Sequence, residues 1–229
     1  MKSEKDFLSS YDKDKFEKPS VAVDLLVFTI ESNRLKIVLI ERGEHPFLHM
    51  PALPGVFVHI DETLDDAAKR GIVEEAGLTD IYFEQLYTWG DVGRDPRMRI
   101  ISVSYLSLVQ FEKLELVAGK RTFSAALYDV DELLESNTEL AFDHKKIIRY
   151  GRERIKNKAE YSNIAFEFLP EEFTLPQLQT VYEILLGKKL YKANFRRKAA
   201  SLIEETDKMT SGDAHRPSRL YKQKQQTIL

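Results

Sequence analysis

The sequence predicts an α+β protein: a mixed sheet sandwiched by helices, followed by a C-terminal module with a different pattern. Three observations predict it. Apolar, β-branched runs precede and interrupt helical periodicities up to about residue 158. Beyond that point the pattern becomes helical and basic. The length, 229 residues, exceeds one typical domain, so a boundary is expected, with 1–158 as one domain and 159–229 as the next.

The elements follow in order. Residues 6–16 carry a short helix ahead of Pro19. Val21–Ile30 is a nearly continuous apolar run, the pattern of a buried strand. Glu31-Ser32-Asn33 turns the chain, and Leu35–Ile40 returns as the second strand of a hairpin. Gly43–Pro54 is a proline-rich loop and Phe57-Val58 a short strand. Thr63–Ala76 is a helix. Thr63 suits the N-cap, Asp65 and Asp66 suit the positive end of the dipole, and Gly77 suits the stop. Leu64, Ala67, Ala68 and Ile72 recur at helical spacing.

Ile81–Trp89 and Arg99–Val109 are strands; the second sets Ile101, Val103 and Tyr105 on one face against Ser102 and Ser104 on the other. Ala126–Val130 is another strand and Phe142–Asn157 a helix. Residues 159–170 read as a polar linker. Thr174 and Gln177 then fit a capping box, with Pro176 tolerated in the first turn. Leu178, Val181, Tyr182, Leu185 and Leu186 form a full apolar stripe that Gly187 ends. Lys192–Leu202 is the next helix, with Phe195, Ala199 and Leu202 inward, and a polar hairpin-like tail closes the chain.

Composition narrows the function. The absence of cysteine excludes a disulfide framework, a thiolate zinc site and cysteine catalysis. No apolar run approaches the roughly 20 residues of a membrane helix, and the charged start lacks the apolar segment of a signal peptide. The expected address is the cytoplasm, with no membrane partner. A net charge of -3 argues at first against nucleic acid. Split at Gly151, it becomes -8 for the first part and +5 for the second. From Lys188 onward eleven basic residues face four acidic ones, a pattern shared by anion-binding appendages and by plain solvated basic surfaces.

The sharpest chemical feature is Glu74-Glu75 in the last turn of a helix, where negative charge opposes the dipole. A hard cation such as Mg²⁺ or Mn²⁺ would compensate it, and so would plain solvation. Arg70, four residues before Glu74, can pair with it. The segment Leu53–Leu78 resembles the Nudix box at Glu62, Arg70, Ile72, Glu74, Glu75, Gly77 and Leu78, led in by Leu53-Pro54-Gly55. Two positions depart from the pattern: Val56 stands for the box glycine, and Gly71 for the glutamate that follows the arginine. The resemblance implies a metal cage of Glu74, Glu75 and a glutamate at position 71, with Glu62 or another carboxylate filling in for the last and Arg70 beside it, that polarises a diphosphate and activates water. Gly71 leaves a gap in that cage and puts hydrolysis in doubt, while phosphate or sugar binding stands.

The rest of the chain resembles one branch of that family. Asp24, Glu41–Phe47, Arg94-Asp95-Pro96-Arg97 and Ala141-Phe142-Asp143-His144 match its first domain. Phe173–Gln179, Asn194–Lys198 and His215–Tyr221 match a C-terminal winged helix-turn-helix. The branch includes Nudix-related transcriptional regulators and ADP-ribose pyrophosphatases. It implies a homodimeric regulator sensing ADP-ribose or a related sugar or nucleotide on double-stranded DNA, with a degenerate hydrolase site. The alternative is a Mg-dependent pyrophosphatase of ADP-ribose or a nucleoside diphosphate sugar. Ligand-binding candidates are Arg42, Arg94, Asp95, Arg97 and His144. On the second helix of the winged module Lys192, Asn194, Arg196, Arg197 and Lys198 can reach phosphates or base edges, with Arg216 and Arg219 in the wing. The charged 94–97 turn can equally be plain surface. Trp89 and Phe142 suit core packing better than base stacking. The histidines at 45, 49, 59 and 144 show no zinc-ligand spacing.

Overall fold

The computed structural model describes residues 3–76, 81–114, 116, 122–210 and 217–224. A short helix α1 (Glu4–Ser9) precedes the sheet. Strands β1 (Ser20–Glu31), β2 (Arg34–Arg42), β3 (Pro51–Ala52), β4 (Gly55–Phe57), β5 (Tyr82–Trp89), β6 (Ile100–Leu108) and β7 (Thr122–Asp129) form one mixed sheet. Its order is β3-β2-β1-β6-β5, with β4 pairing β1 and β7 pairing β2. β1 and β6 run parallel through Val23↔Val103; the other pairs are antiparallel.

Helix α2 (Leu64–Ala76) covers one face, where Ala67, Ala68 and Ile72 meet Val23, Leu25 and Val56. Thr63 accepts from the Asp66 N–H at 3.1 Å and Asp66 reaches back to the Thr63 hydroxyl at 2.7 Å, which fixes its start. The residue expected to stop it, Gly77, lies outside the described residues, as does Leu78. Helices α3 (Val130–Glu135) and α4 (His144–Tyr161) cover the other face, with Ile147, Ile148 and Ile155 of α4 against Leu26 and Phe28. Each such side chain contributes about 1.5–3 kcal/mol by leaving water. This is the mixed sheet between helices that the strand and helix periods imply.

The C-terminal module is a winged helix. Strand β8 (Phe173–Thr174) leads into helices α5 (Leu175–Leu186) and α6 (Lys192–Ala199). Strands β9 (Ile203–Met209) and β10 (Arg219–Gln223) form the wing hairpin and pair with β8 in the order β8-β10-β9. The Thr174–Gln177 capping box is formed, and Gly187 ends α5 at φ +66°, a left-handed conformation that glycine adopts without steric cost.

Three expectations change. Residues 159–170 are no polar linker: a 3₁₀ turn, Ile164–Phe168, buries Ile164, Ala165, Phe166 and Phe168 in the same core as α4 and α5. β6 lies between β1 and β5, so Ser102 and Ser104 are fully buried and bonded to Asp24 and Trp89. The helix predicted over residues 192–202 ends at Ala199, and that over 6–16 spans only Glu4–Ser9. Among the described residues no helix is long and apolar enough to cross a membrane.

Candidate functional site

A pocket of about 100 Å³ opens at one end of β1, between the end of β2, the segment before α2 and the start of α4. Its floor is built on Asp24. A carboxylate inside the apolar run of β1 must find partners once buried. Asp24 Oδ2 accepts from the Ser102 hydroxyl and from Arg94 Nη2 at 3.3 Å. Arg94 also donates to Asp143 at 2.6 and 3.1 Å, so one buried guanidinium serves two carboxylates. Burial pulls the Arg94 guanidinium down, but its bonds to Asp143 and Asp24 outweigh that and leave it raised. Asp143 occupies the N-cap of α4 without capping it, because its oxygens go to Arg94.

His144 opens α4 beside them. Its Nδ1 accepts from the Leu53 N–H at 2.9 Å, which leaves the proton of the neutral ring on Nε2. That nitrogen stands 3.8 Å from Asp24 Oδ1. Burial holds the imidazole below its usual range despite the nearby Asp24. The rim carries two arginines, Arg42 and Arg97, with Glu44 and Asp95 beside them. Arg42 and Arg97 lie 4.9 and 5.7 Å from the Phe142 ring centroid. Arg97 is oriented by buried Asp95 through bonds of 2.7 and 3.0 Å. Phe142 sits at φ +54°, a strained conformation for an aromatic residue and one that gathers at ligand sites. All five ligand-binding candidates therefore line one cavity, and the 94–97 turn is no plain surface, since the Arg94 side chain is only 6% exposed. Asp24, Asp143, Ser102 and Phe142 complete the site and were not among the candidates.

The box helix is arranged differently. Arg70 donates to both oxygens of Glu62, at 2.7 and 3.1 Å, to Glu74 at 3.3 Å and to the Phe57 carbonyl at 2.9 Å. The Glu62 carboxyl, bonded first by Arg70 and then by the His59 N–H, is held down to about 2. Glu62 is thus committed to Arg70 and is no spare metal ligand. Position 71 is filled as well: a Cβ there would stand 2.9 Å from Leu25 Cδ1 and 3.2 Å from Val56 Cγ2. The two departures from the box pattern touch each other, the valine occupying space beside the missing glutamate. Divalent-metal dependence is general among Nudix enzymes; here Glu62 is spent on Arg70 and position 71 carries no carboxylate. Among the described residues no three carboxylate or imidazole groups converge on a metal position; the Glu75 side chain is outside them.

The candidate nucleic-acid face is α6. Phe195 and Ala199 point inward against Tyr182, and Lys192, Asn194, Arg196 and Arg197 are exposed. None of these four forms a side-chain hydrogen bond or ion pair among the described residues. Arg196 and Arg219 line one groove between α6, the start of α5 and the wing. Two candidates are otherwise engaged: Lys198 turns back to the Glu160 carbonyl and the Tyr182 ring, and Arg219 pairs with Glu205 at 2.7 Å. Arg216 lies outside the described residues.

One residue absent from the sequence-based candidates joins the two domains. Arg152 of α4 is buried and donates to Asp131 at 2.9 Å and to the carbonyls of Leu185 and Ile184 at 2.7 and 3.3 Å. It places a cation at the negative end of α5.

Known proteins share both halves of this architecture. The NUDIX domain model matches residues 18–151, and the model of the NrtR DNA-binding winged helix domain matches residues 165–223. The chain is 34% identical to the ADPR responsive transcriptional repressor NtrR of Acinetobacter baylyi, over 96% of this chain and 88% of that one. It is 39% identical to the ADP-ribose pyrophosphatase of Methanocaldococcus jannaschii, over 57% of this chain and 72% of that one. The crystal structure of Shewanella oneidensis NrtR with a 27mer DNA matches with a TM-score of 0.77 at 34% identity, covering 89% of this chain and 93% of that one. The NUDIX domain of that protein complexed with ADP ribose matches with a TM-score of 0.59 at 31% identity, covering 67% and 99%.

Proposed function

The chain belongs to the NUDIX family, in the branch that carries an NrtR-type winged helix, and on that premise we propose that it is a transcription regulator that senses ADP-ribose. The observation that supports this best is the course of α4. Asp143 and His144 at its start close the pocket. Arg152, eight residues and about 12 Å further along the helix, holds the last turn of α5. Through the packing of Tyr182 on Phe195, α5 in turn supports α6. A ligand that engages the Asp24–Arg94–Asp143 network biases the start of α4, and so the recognition helix, by as much as it prefers one arrangement over the other.

In this reading α6 enters the major groove, with Lys192, Arg196 and Arg197 on phosphates or guanine edges and Asn194 on adenine. Two copies of the chain present two such helices to an operator. Arg42 and Arg97 supply the planar cations that suit a diphosphate. The box helix, with Glu62 committed to Arg70 and no carboxylate at 71, leaves the ligand intact. An electrophoretic shift on DNA upstream of the gene, with and without ADP-ribose, tests the proposal. Retardation that changes with ADP-ribose supports it; no retardation at low salt overturns it. The retained Glu74 and the likeness to a pyrophosphatase favour a second reading, Mg-dependent hydrolysis. On that reading Glu75→Gln abolishes release of AMP from ADP-ribose.

A further inference from the structure

We propose that Asp24 and His144 together read the hydroxyls of a terminal ribose, so that the floor of the pocket selects the sugar end of the ligand. The inference rests on the sensor reading and specifies which part of the ligand the floor recognises.

Both residues are more than nine-tenths buried, at 7% and 4% exposed, and both line the cavity. Asp24 commits Oδ2 to Ser102 and Arg94, while Oδ1 receives no hydrogen bond among the described residues. His144 commits Nδ1 to the Leu53 N–H, and its Nε2–H has no acceptor within bonding distance among them. An acceptor and a donor thus stand 3.8 Å apart, too far to bond each other. A hydroxyl between them donates to the carboxylate and accepts from the imidazole, and its vicinal neighbour is held at the same floor.

Charge argues against a phosphate at the floor and size against an internal ribose. Two carboxylates share the single cation Arg94 here, and His144 is neutral, so the floor carries net negative charge and repels phosphate. The guanidinium groups of Arg42 and Arg97 at the rim are the planar donors that suit a diphosphate. A cavity of about 100 Å³ is small beside the roughly 300–1,000 Å³ of pockets that enclose whole ligands. It takes one ring. An adenosine ribose, substituted at both ends, does not enter, whereas a terminal ribose, attached only through its 5-oxygen, does. A sugar lacking the hydroxyl leaves two buried polar groups unpaired, the situation in which sites discriminate most strongly.

Titration calorimetry on the full chain tests this with three probes: ADP-ribose, ADP, and ADP-ribose lacking the terminal 2-hydroxyl. ADP-ribose binds at least about tenfold more tightly than either of the others, and Asp24→Asn, which turns the acceptor into a donor, abolishes that preference. His144→Phe reduces it in the same direction. Equal binding of all three probes to the unsubstituted protein overturns the assignment while leaving the sensor reading in place, as does an Asp24→Asn variant that keeps the preference. If none of the probes binds, the sensor reading falls and this inference with it. The deoxy probe needs no substitution, so it decides the matter even where Asp24→Asn fails to fold.

Discussion

Two carboxylate clusters in the same domain meet opposite ends. On the box helix, Glu62 and Glu74 share Arg70, and position 71 is packed against Leu25 and Val56. At the pocket floor, Asp24 and Asp143 share Arg94, yet Asp24 Oδ1 and His144 Nε2 still face the cavity with no partner among the described residues. Both clusters pair two acids with one arginine. They differ in burial and in which atoms remain unused. The box cluster lies near solvent and its best-placed acid is spent within the protein; the floor is buried and keeps one donor and one acceptor. In the proposed reading the floor keeps groups for a ligand while Glu62, on the box helix side, keeps none for a metal.

The largest expected effect comes from removing the two arginines. Arg94→Ala leaves buried Asp24 and half-buried Asp143 without a cation and lowers unfolding stability by about 3–5 kcal/mol in urea titrations. Arg70→Ala lowers it far less, because the carboxylates it releases reach solvent. Similar losses from both variants would break the comparison.

The link between floor and winged helix is the next target. Arg152→Met removes the bonds to Asp131 and to the end of α5. In fluorescence anisotropy with labelled upstream DNA, ADP-ribose then changes DNA affinity less than about twofold, against about tenfold for the unsubstituted chain. ADP-ribose affinity itself stays within about threefold. An unchanged ligand response in this variant would remove α4 as the connection.

A smaller effect tests how the box was closed. Gly71→Glu alone must displace Leu25 and Val56 and costs about 1–3 kcal/mol. Adding Val56→Gly recovers part of that, giving a coupling of about 0.5–3 kcal/mol in a double-mutant cycle. Strict additivity would show that the two departures are unrelated.

The smallest concerns pH. Burial holds His144 below the ordinary imidazole value of about 6.5, so above that pH the ring is neutral whether folded or unfolded. As the pH falls below about 6.5 the unfolded chain takes the proton first and stability declines. His144→Gln flattens that part of the curve of melting temperature between pH 7.5 and 5.5. Loss of stability in this window undiminished by the substitution would assign it to other groups.

What the sequence makes legible follows from range. The Thr174–Gln177 capping box, the stripe from Leu178 to Leu186 and the spacing of Glu62, Arg70 and Glu74 lie within single helices or one short segment, where periodicity speaks directly. The pocket floor does not. It joins residues 24, 94 and 143 from three separate segments, and nothing local in the apolar run of β1 shows that Asp24 meets Arg94. Arg152 looks like any cation on an amphipathic helix until α5 is packed on α4. Counting charge likewise fails to separate Arg196, which faces solvent in the groove, from Lys198, which turns back to Glu160. The 3₁₀ turn at Ile164–Phe168 is too short for a period and shows only as buried side chains.

The central claim is that the domain holds its ligand without cleaving it and transmits that binding to α6. One experiment measures both: labelled upstream DNA and the full chain, titrated with ADP-ribose in the presence of Mg²⁺, with the nucleotide then recovered and separated by chromatography. The account predicts a shift in DNA affinity of about tenfold and ADP-ribose recovered intact. Conversion to AMP and ribose 5-phosphate, with DNA affinity unmoved, would contradict it.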